Sequence, residues 1–139
     1  MTARFVIDAS IAVAWVHPAQ ATRDTDRLLD EVARDARFAV PALWMLEVVN
    51  ALLVLERRRK LRSDERAEAL ETLLALGPAV DEDGARSAFG RVSDLAVEHG
   101  LSVYDATYLE LSLREKLPLV TKDVGLRAAA RRAAVPLHP

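Results

Sequence analysis

Short apolar runs alternate with longer amphipathic ones along this chain. Residues 4–7 make a brief β-type run closed by Asp8, and residues 10–16 read as a helix ending near His17-Pro18. Leu28, Leu29 and Val32 form the apolar stripe of a helix over 21–36. Residues 38–40 predict a short buried strand ending at Pro41, which opens a long helix from 42 to about 60. Ser63-Asp64-Glu65-Arg66 starts another helix that runs to 76, where Gly77-Pro78 stops it. A brief strand at 79–80 follows, then a helix over 84–99 with Gly100 as its stop. The remainder predicts a helix at 102–116, a strand at 117–121, a helix at 124–134 and an edge strand at 135–137. Alternating strands and helices imply an α/β fold, a parallel β-sheet sandwiched by helices. Neither a repeat nor a linker divides the sequence, so one domain over 1–139 is expected.

Composition narrows the picture. Of the 139 residues 51% are hydrophobic, enough for one core, and 29% are charged. The formal net charge of −2 gives no overall basic field for nucleic acid, although a metal can hold such a substrate locally. The absence of cysteine excludes disulfides and zinc–thiolate sites and fits a cytoplasmic location. The start, MTARFVID, has no apolar segment with a cleavage site, so no secretory signal is expected. The longest apolar stretch, 38–55, contains Pro41, Glu47 and Asn50 and reads poorly as a membrane span.

Four carboxylates then stand out: Asp8, Glu47, Asp105 and Asp123. Asp8 directly follows the first strand, where parallel α/β sheets place ligands, but Asp is also a preferred helix cap. Asp123 carries the same ambiguity, with Thr121 as an alternative cap that would leave Asp123 free. Ser102-x-x-Asp105 matches a capping box. Glu47 cannot be a cap, because it lies inside a helix among Leu43, Trp44, Met45, Leu46, Val48 and Val49. Its competing reading is a buried acid paired with an arginine. At about 5 Å and an effective dielectric of about 20, each pair in such a quartet repels by roughly 3 kcal/mol. Mg²⁺ or Mn²⁺ resolves that repulsion, being hard ions that prefer carboxylate and water oxygens.

Neutral polar residues fit the same site. Ser10 can orient Asp8 or cap the first helix, Asn50 can bond Glu47 or a phosphate oxygen, and Thr121 can orient Asp123 or cap the last helix. Tyr108 shares a helix face with Asp105 and can stack or hydrogen-bond near substrate, although an ordinary core position is the first reading. His17, His99 and His138 lie next to turns and read as surface residues. The run Arg57-Arg58-Arg59-Lys60, with Arg62, suits a solvated helix end and is compatible with an RNA track.

VIDASIAVAW at the start, PALWMLEVVNAL, LSVYDATYLELS and LPLVTKD occur in this order over nearly the whole chain. In these segments the sequence resembles the PIN-domain nucleases and, within them, the VapC toxins of bacterial toxin–antitoxin pairs. The resemblance implies an acidic quartet of Asp8, Glu47, Asp105 and Asp123, with Ser10 and Asn50 in support. It implies a metal-dependent endoribonuclease in which Asp8, Asp105 and Asp123 hold one or two Mg²⁺ ions and Glu47 binds metal or positions the attacking water. Cleavage would leave a 3′-hydroxyl and a 5′-phosphate. It also implies a homodimer and a cognate antitoxin whose helical tail covers the groove, with Trp15, Trp44 and Leu53 as docking surface or core.

A haloacid-dehalogenase-type phosphatase needs an acid two residues after Asp8, where this chain has Ser10. A phosphoacceptor signalling domain needs its acid at a mid-chain strand end, whereas Glu47 is mid-helix. The remaining rival is a catalytically inactive PIN-like module that binds RNA or protein, against which the intact quartet argues.

Overall fold

Phe5–Ile7 is the central strand β1, and all three of its residues are buried, as expected of a strand covered on both faces. The computed structural model describes residues 2–139. In it β1 is joined by β2 (Phe38–Pro41), β3 (Ala79–Asp81) and β4 (Leu119–Val120) in a four-stranded sheet of order β3-β2-β1-β4. Every pairing is parallel, with Phe5 opposite Phe38, Val6 opposite Leu119, Ile7 opposite Val120 and Val40 opposite Val80. The chain builds outward from β1 through β2 to β3, then returns to the other side of β1 as β4. The order therefore reverses between β1 and β4, and the residues just beyond those strands border the crevice where open α/β sheets bind ligands. The expected α/β architecture is the one observed.

Helices cover both faces: α1 (Ala9–Val16), α2 (Arg23–Ala33), α3 (Leu43–Arg57), α4 (Ser63–Ala75), α5 (Ser93–His99), α6 (Val103–Glu115) and α7 (Val124–Arg132). Phe5, Phe38, Trp44, Leu52, Leu109 and Leu126 are fully buried between these layers. Trp44 is thus core and no docking surface; its indole N–H donates to the Asp8 carbonyl at 3.3 Å. Trp15 is partly buried against the core and donates to the Thr25 carbonyl at 2.9 Å.

Three elements differ from the sequence reading. The second helix starts later, because residues 18–20 form a 3₁₀ turn and Thr22 caps α2 in a reciprocal box with Thr25. Residues 84–99 are not one α-helix: a 3₁₀ turn (Gly84–Ser87) and a π-turn (Ala88–Val92) precede α5. That segment is pinned at both sides, the Gly84 N–H by the Asp81 carboxylate at 3.0 Å and the Ser87 hydroxyl by Glu110 at 3.3 Å. Gly90 within it adds little helix propensity to resist the distortion. The expected edge strand at 135–137 reduces to a single parallel bridge between Leu119 and Leu137, since Pro136 has no N–H with which to extend a ladder. Gly100, at φ +63°, ends α5 as the sequence suggests.

The histidines also differ from expectation. The His99 side chain is only 6% exposed, and its Nδ1 has no hydrogen-bond partner. His138 stacks on Phe5 at 5.2 Å and lies 3.3 Å from Glu31. Both sit beside turns that fold back on the core, which a local reading cannot reveal.

Candidate active site

The β1–β4 register places Asp8 beside Thr121, one step past each strand. Asp8 is 6% exposed and has both carboxylate oxygens engaged. Oδ1 accepts the Ser10 N–H at 3.1 Å and the Ser10 hydroxyl at 2.6 Å, while Oδ2 accepts the Thr121 hydroxyl. Asp8 is therefore the N-cap of α1 and an element of the cleft at once; the two readings of the sequence do not compete. The same hydroxyls bind the adjoining loop. Ser10 Oγ accepts the Lys122 N–H at 3.1 Å and Thr121 Oγ1 accepts the Asp123 N–H at 3.0 Å. Thr121 thus orients Asp8 rather than the Asp123 carboxylate, and Ser10 is not the cap. Asp123 itself caps α7, its Oδ2 accepting the Leu126 N–H at 2.7 Å.

The other half of the cleft comes from two helices. Pro41 and Ala42 turn the chain from β2 into α3, which carries Glu47 in its second turn. Ser102 caps α6 by accepting the Asp105 N–H at 3.1 Å. The return bond of a capping box, from the Ser102 N–H to the Asp105 carboxylate, is not made, so that carboxylate remains available. One turn further along α6, the buried Tyr108 hydroxyl donates to Glu47 Oε1 at 2.5 Å and ties α6 to α3. Burial and the Glu47 bond both raise the Tyr108 pKa, so the phenol stays protonated and is the donor. Tyr108 is thus both a core residue and a hydrogen-bonding one, and what the sequence did not identify is its partner, which lies far away along the chain. Asn50 is exposed on α3 and forms no hydrogen bond with Glu47 among the described residues.

Electrostatics joins the two halves. Burial raises the Asp8 pKa against the lowering effect of its hydroxyl and backbone donors. Burial also raises that of Glu47, against the lowering effect of the Tyr108 bond, with Asp105 and Asp8 adding repulsion. Asp105 is raised by burial and then by Asp123. Glu47 thus feels Asp105 and Asp8, and Asp105 feels Asp123. Among the described residues, no lysine, arginine or histidine forms an ion pair with any of the four. The arginine-paired reading of Glu47 is therefore not the one observed. Also among the described residues, no three histidine, cysteine or acidic side chains already stand together as a ready-made metal cage. The donor set of the four acids is all oxygen, which is the chemistry that Mg²⁺ prefers. It does not suit a structural zinc ion.

The chain matches the PIN domain over residues 5–132. It is 29% identical over 120 residues to Ribonuclease VapC3 of Pyrobaculum aerophilum, covering 86% of this chain and 89% of that protein. The crystal structure of PAE2754 from Pyrobaculum aerophilum superposes with a TM-score of 0.70 at 24% identity, covering 91% of this chain and 79% of that one. VapBC2 from Rickettsia felis, bound to a DNA fragment from their promoter, gives 0.67 at 13% identity over 96% of both chains. At such identities these two structures speak to the fold alone. No helix is long and apolar enough to cross a membrane among the described residues.

Proposed function

The chain belongs to the PIN domain family, and from that premise we propose that it is a divalent-metal-dependent endoribonuclease, the toxin of a VapBC-type toxin–antitoxin pair. The observation that carries this reading is the cleft itself: burial raises Asp8, Glu47 and Asp105, the charges of Asp105 and Asp8 add to the rise at Glu47 and that of Asp123 to the rise at Asp105, and among the described residues no cationic side chain pairs with these acids. A site that raises its own carboxylate pKa values in this way is poised for a charge from outside. The ribonuclease among the relatives favours RNA as the substrate.

In this reading Asp8, Asp105 and Asp123 hold Mg²⁺ or Mn²⁺, partly through waters, with Glu47 beside them. When bound, the ion lowers the pKa of a water and offsets charge on the phosphate and the leaving oxygen. The protein supplies the geometry. Ser10 and Thr121 fix both Asp8 oxygens, so the most buried ligand is oriented before substrate arrives. Tyr108 holds Glu47 Oε1, which leaves Oε2 to accept a proton or orient a water. The Asp123 Oδ2 bond to α7 leaves its Oδ1 for the cleft. Asn50, exposed and without a bond to Glu47 among the described residues, would meet substrate rather than brace Glu47.

Incubation of the purified protein with single-stranded RNA and Mg²⁺ or Mn²⁺ should yield internal cuts that EDTA abolishes. Asp8→Asn keeps an oxygen acceptor for the cap and should fold, yet lower cleavage by about 10³-fold. Cleavage of equal rate by the variant would remove the quartet from the mechanism. For the toxin role, expression of wild type alone should arrest growth and Glu47→Gln should not. A small antitoxin is expected to copurify from its native pair, and the toxin is expected to form a homodimer. Unhindered growth with soluble wild-type protein and no copurifying partner would favour a housekeeping nuclease.

A further inference from the structure

An acidic cleft repels the polyanion it is to cut, so the cations that seat the RNA must lie beside it. One cavity answers this need. It has a volume of about 320 Å³ and is lined by Lys122, Arg127 and Thr121 together with Ile11, Leu28 and Val120. It adjoins the quartet through Thr121, whose hydroxyl holds Asp8. Thr121, the residue after β4, lines this cavity and bonds Asp8, the residue after β1, so the cavity borders the crevice where the strand order reverses.

The two cations are held in place without being neutralised. Lys122 Nζ donates to the Gln20 carbonyl at 2.8 Å, and Arg127 donates to the Thr121 carbonyl at 3.0 Å. Neither forms an ion pair among the described residues, whereas Arg62, Arg66 and Arg114 do. Asp24 also borders the cavity, but it is exposed and pairs with neither cation. Main-chain carbonyls orient the side chains and leave a donor surface that a phosphate satisfies. The Ile11, Leu28 and Val120 side offers an apolar wall for a ribose or base. The size, in the range of small-molecule sites, fits one nucleotide unit.

We propose that this cavity seats a nucleotide of the RNA strand next to the bond being cut, its phosphate held by Lys122 and Arg127. The proposal rests on the nuclease reading and extends it to substrate placement. An ion of inorganic phosphate offers the same chemistry but lacks the apolar half, so the experiment includes both.

Lys122→Gln, Arg127→Gln and Arg127→Lys are compared with Lys116→Gln, which removes a like charge at the far end of α6, about 16 Å along that helix from Asp105. Cleavage of a short single-stranded RNA should show KM raised about fivefold in each Gln variant of the cavity, with kcat within about twofold. Arg127→Lys should recover most of the loss. The slope of log KM against log salt should flatten by about 0.7 for each phosphate contact removed, and Lys116→Gln should change neither quantity. Excess inorganic phosphate should compete with wild type far more weakly than an uncleavable RNA does. KM values left at the wild-type level would overturn the proposal. So would an equal rise in Lys116→Gln, or a fall in kcat at constant KM, which would mean that the cations act only by bracing Thr121. Anisotropy with labelled RNA, measured without divalent metal, scores the same variants independently of cleavage. A wild type that binds but never cuts would defeat the nuclease reading and leave the subsite to be judged by these binding constants.

Discussion

The two ends of α6 hold acids in opposite circumstances. Near its N-terminus Asp105 faces Asp123 and Glu47, and among the described residues no arginine or lysine pairs with any of them. Near its C-terminus Arg114 reaches Asp81 at 2.7 Å and Glu110 at 2.9 Å, closing a network that joins β3 to α6. The titration directions follow. Burial raises Asp105 and Glu47, whereas the Arg114 hydrogen bond lowers Asp81. On the proposed function, acids that come with their own cation belong to the fold, and acids that lack one are the ones that take a metal ion. The difference lies in the partner and not in the acid, so on the proposed function it separates structural from functional carboxylates around α6.

Replacing Arg114 by Met should give the largest effect on stability. It strands the buried Glu110 and the mostly buried Asp81, at a cost of about 2 to 3 kcal/mol, below the fully buried case because the guanidinium is partly exposed. Urea unfolding measures this, and cleavage at a temperature where the variant is folded should stay within about twofold of wild type. A large loss of kcat there would mean that the two ends of α6 are not separable.

Tyr108→Phe probes the active end. Loss of the bond to Glu47 should lower kcat by about tenfold, with stability reduced by about 1 kcal/mol. An unchanged kcat would make the tyrosine a core residue alone.

The smallest effect is on pH dependence without metal. Asp8, Glu47 and Asp105 are raised in the folded state, so the stability they contribute is present below their ordinary values of 3.8 to 4.5 and lost as pH rises through the raised ones. Asp81 is lowered, so its contribution is present above 3.8 and lost as pH falls through the lowered value. Urea midpoints in EDTA should therefore fall less between about pH 4 and 7 in Asp8→Asn than in wild type, while Arg114→Met should lose less on further acidification. Identical pH slopes in all three proteins would erase the contrast.

The acids gathered around the N-terminus of α6 were legible in the sequence as candidates. Asp8 follows a strand, and Glu47 is a lone acid in an apolar helix, so the chemistry shows in local context. Tyr108, Arg127 and Arg114 could not be given their bonds to Glu47, Thr121 and Asp81 from the sequence. Their partners stand 61, 6 and 33 residues away, and only the packing of α3, α6 and α7 selects those partners. The 3₁₀ and π turns before α5 escaped for the same reason, being held by Asp81 and Glu110 from other elements.

Titration of the metal-free protein with Mn²⁺, by calorimetry and by melting temperature, tests the central contrast most directly. Wild type and Arg114→Met should bind the ion and melt higher in its presence, as binding to the native state alone requires, while Asp8→Asn should lose both responses. Absence of binding at millimolar Mn²⁺, or binding of equal strength in Asp8→Asn, would contradict the claim that the unpaired acids of this cleft are waiting for a metal.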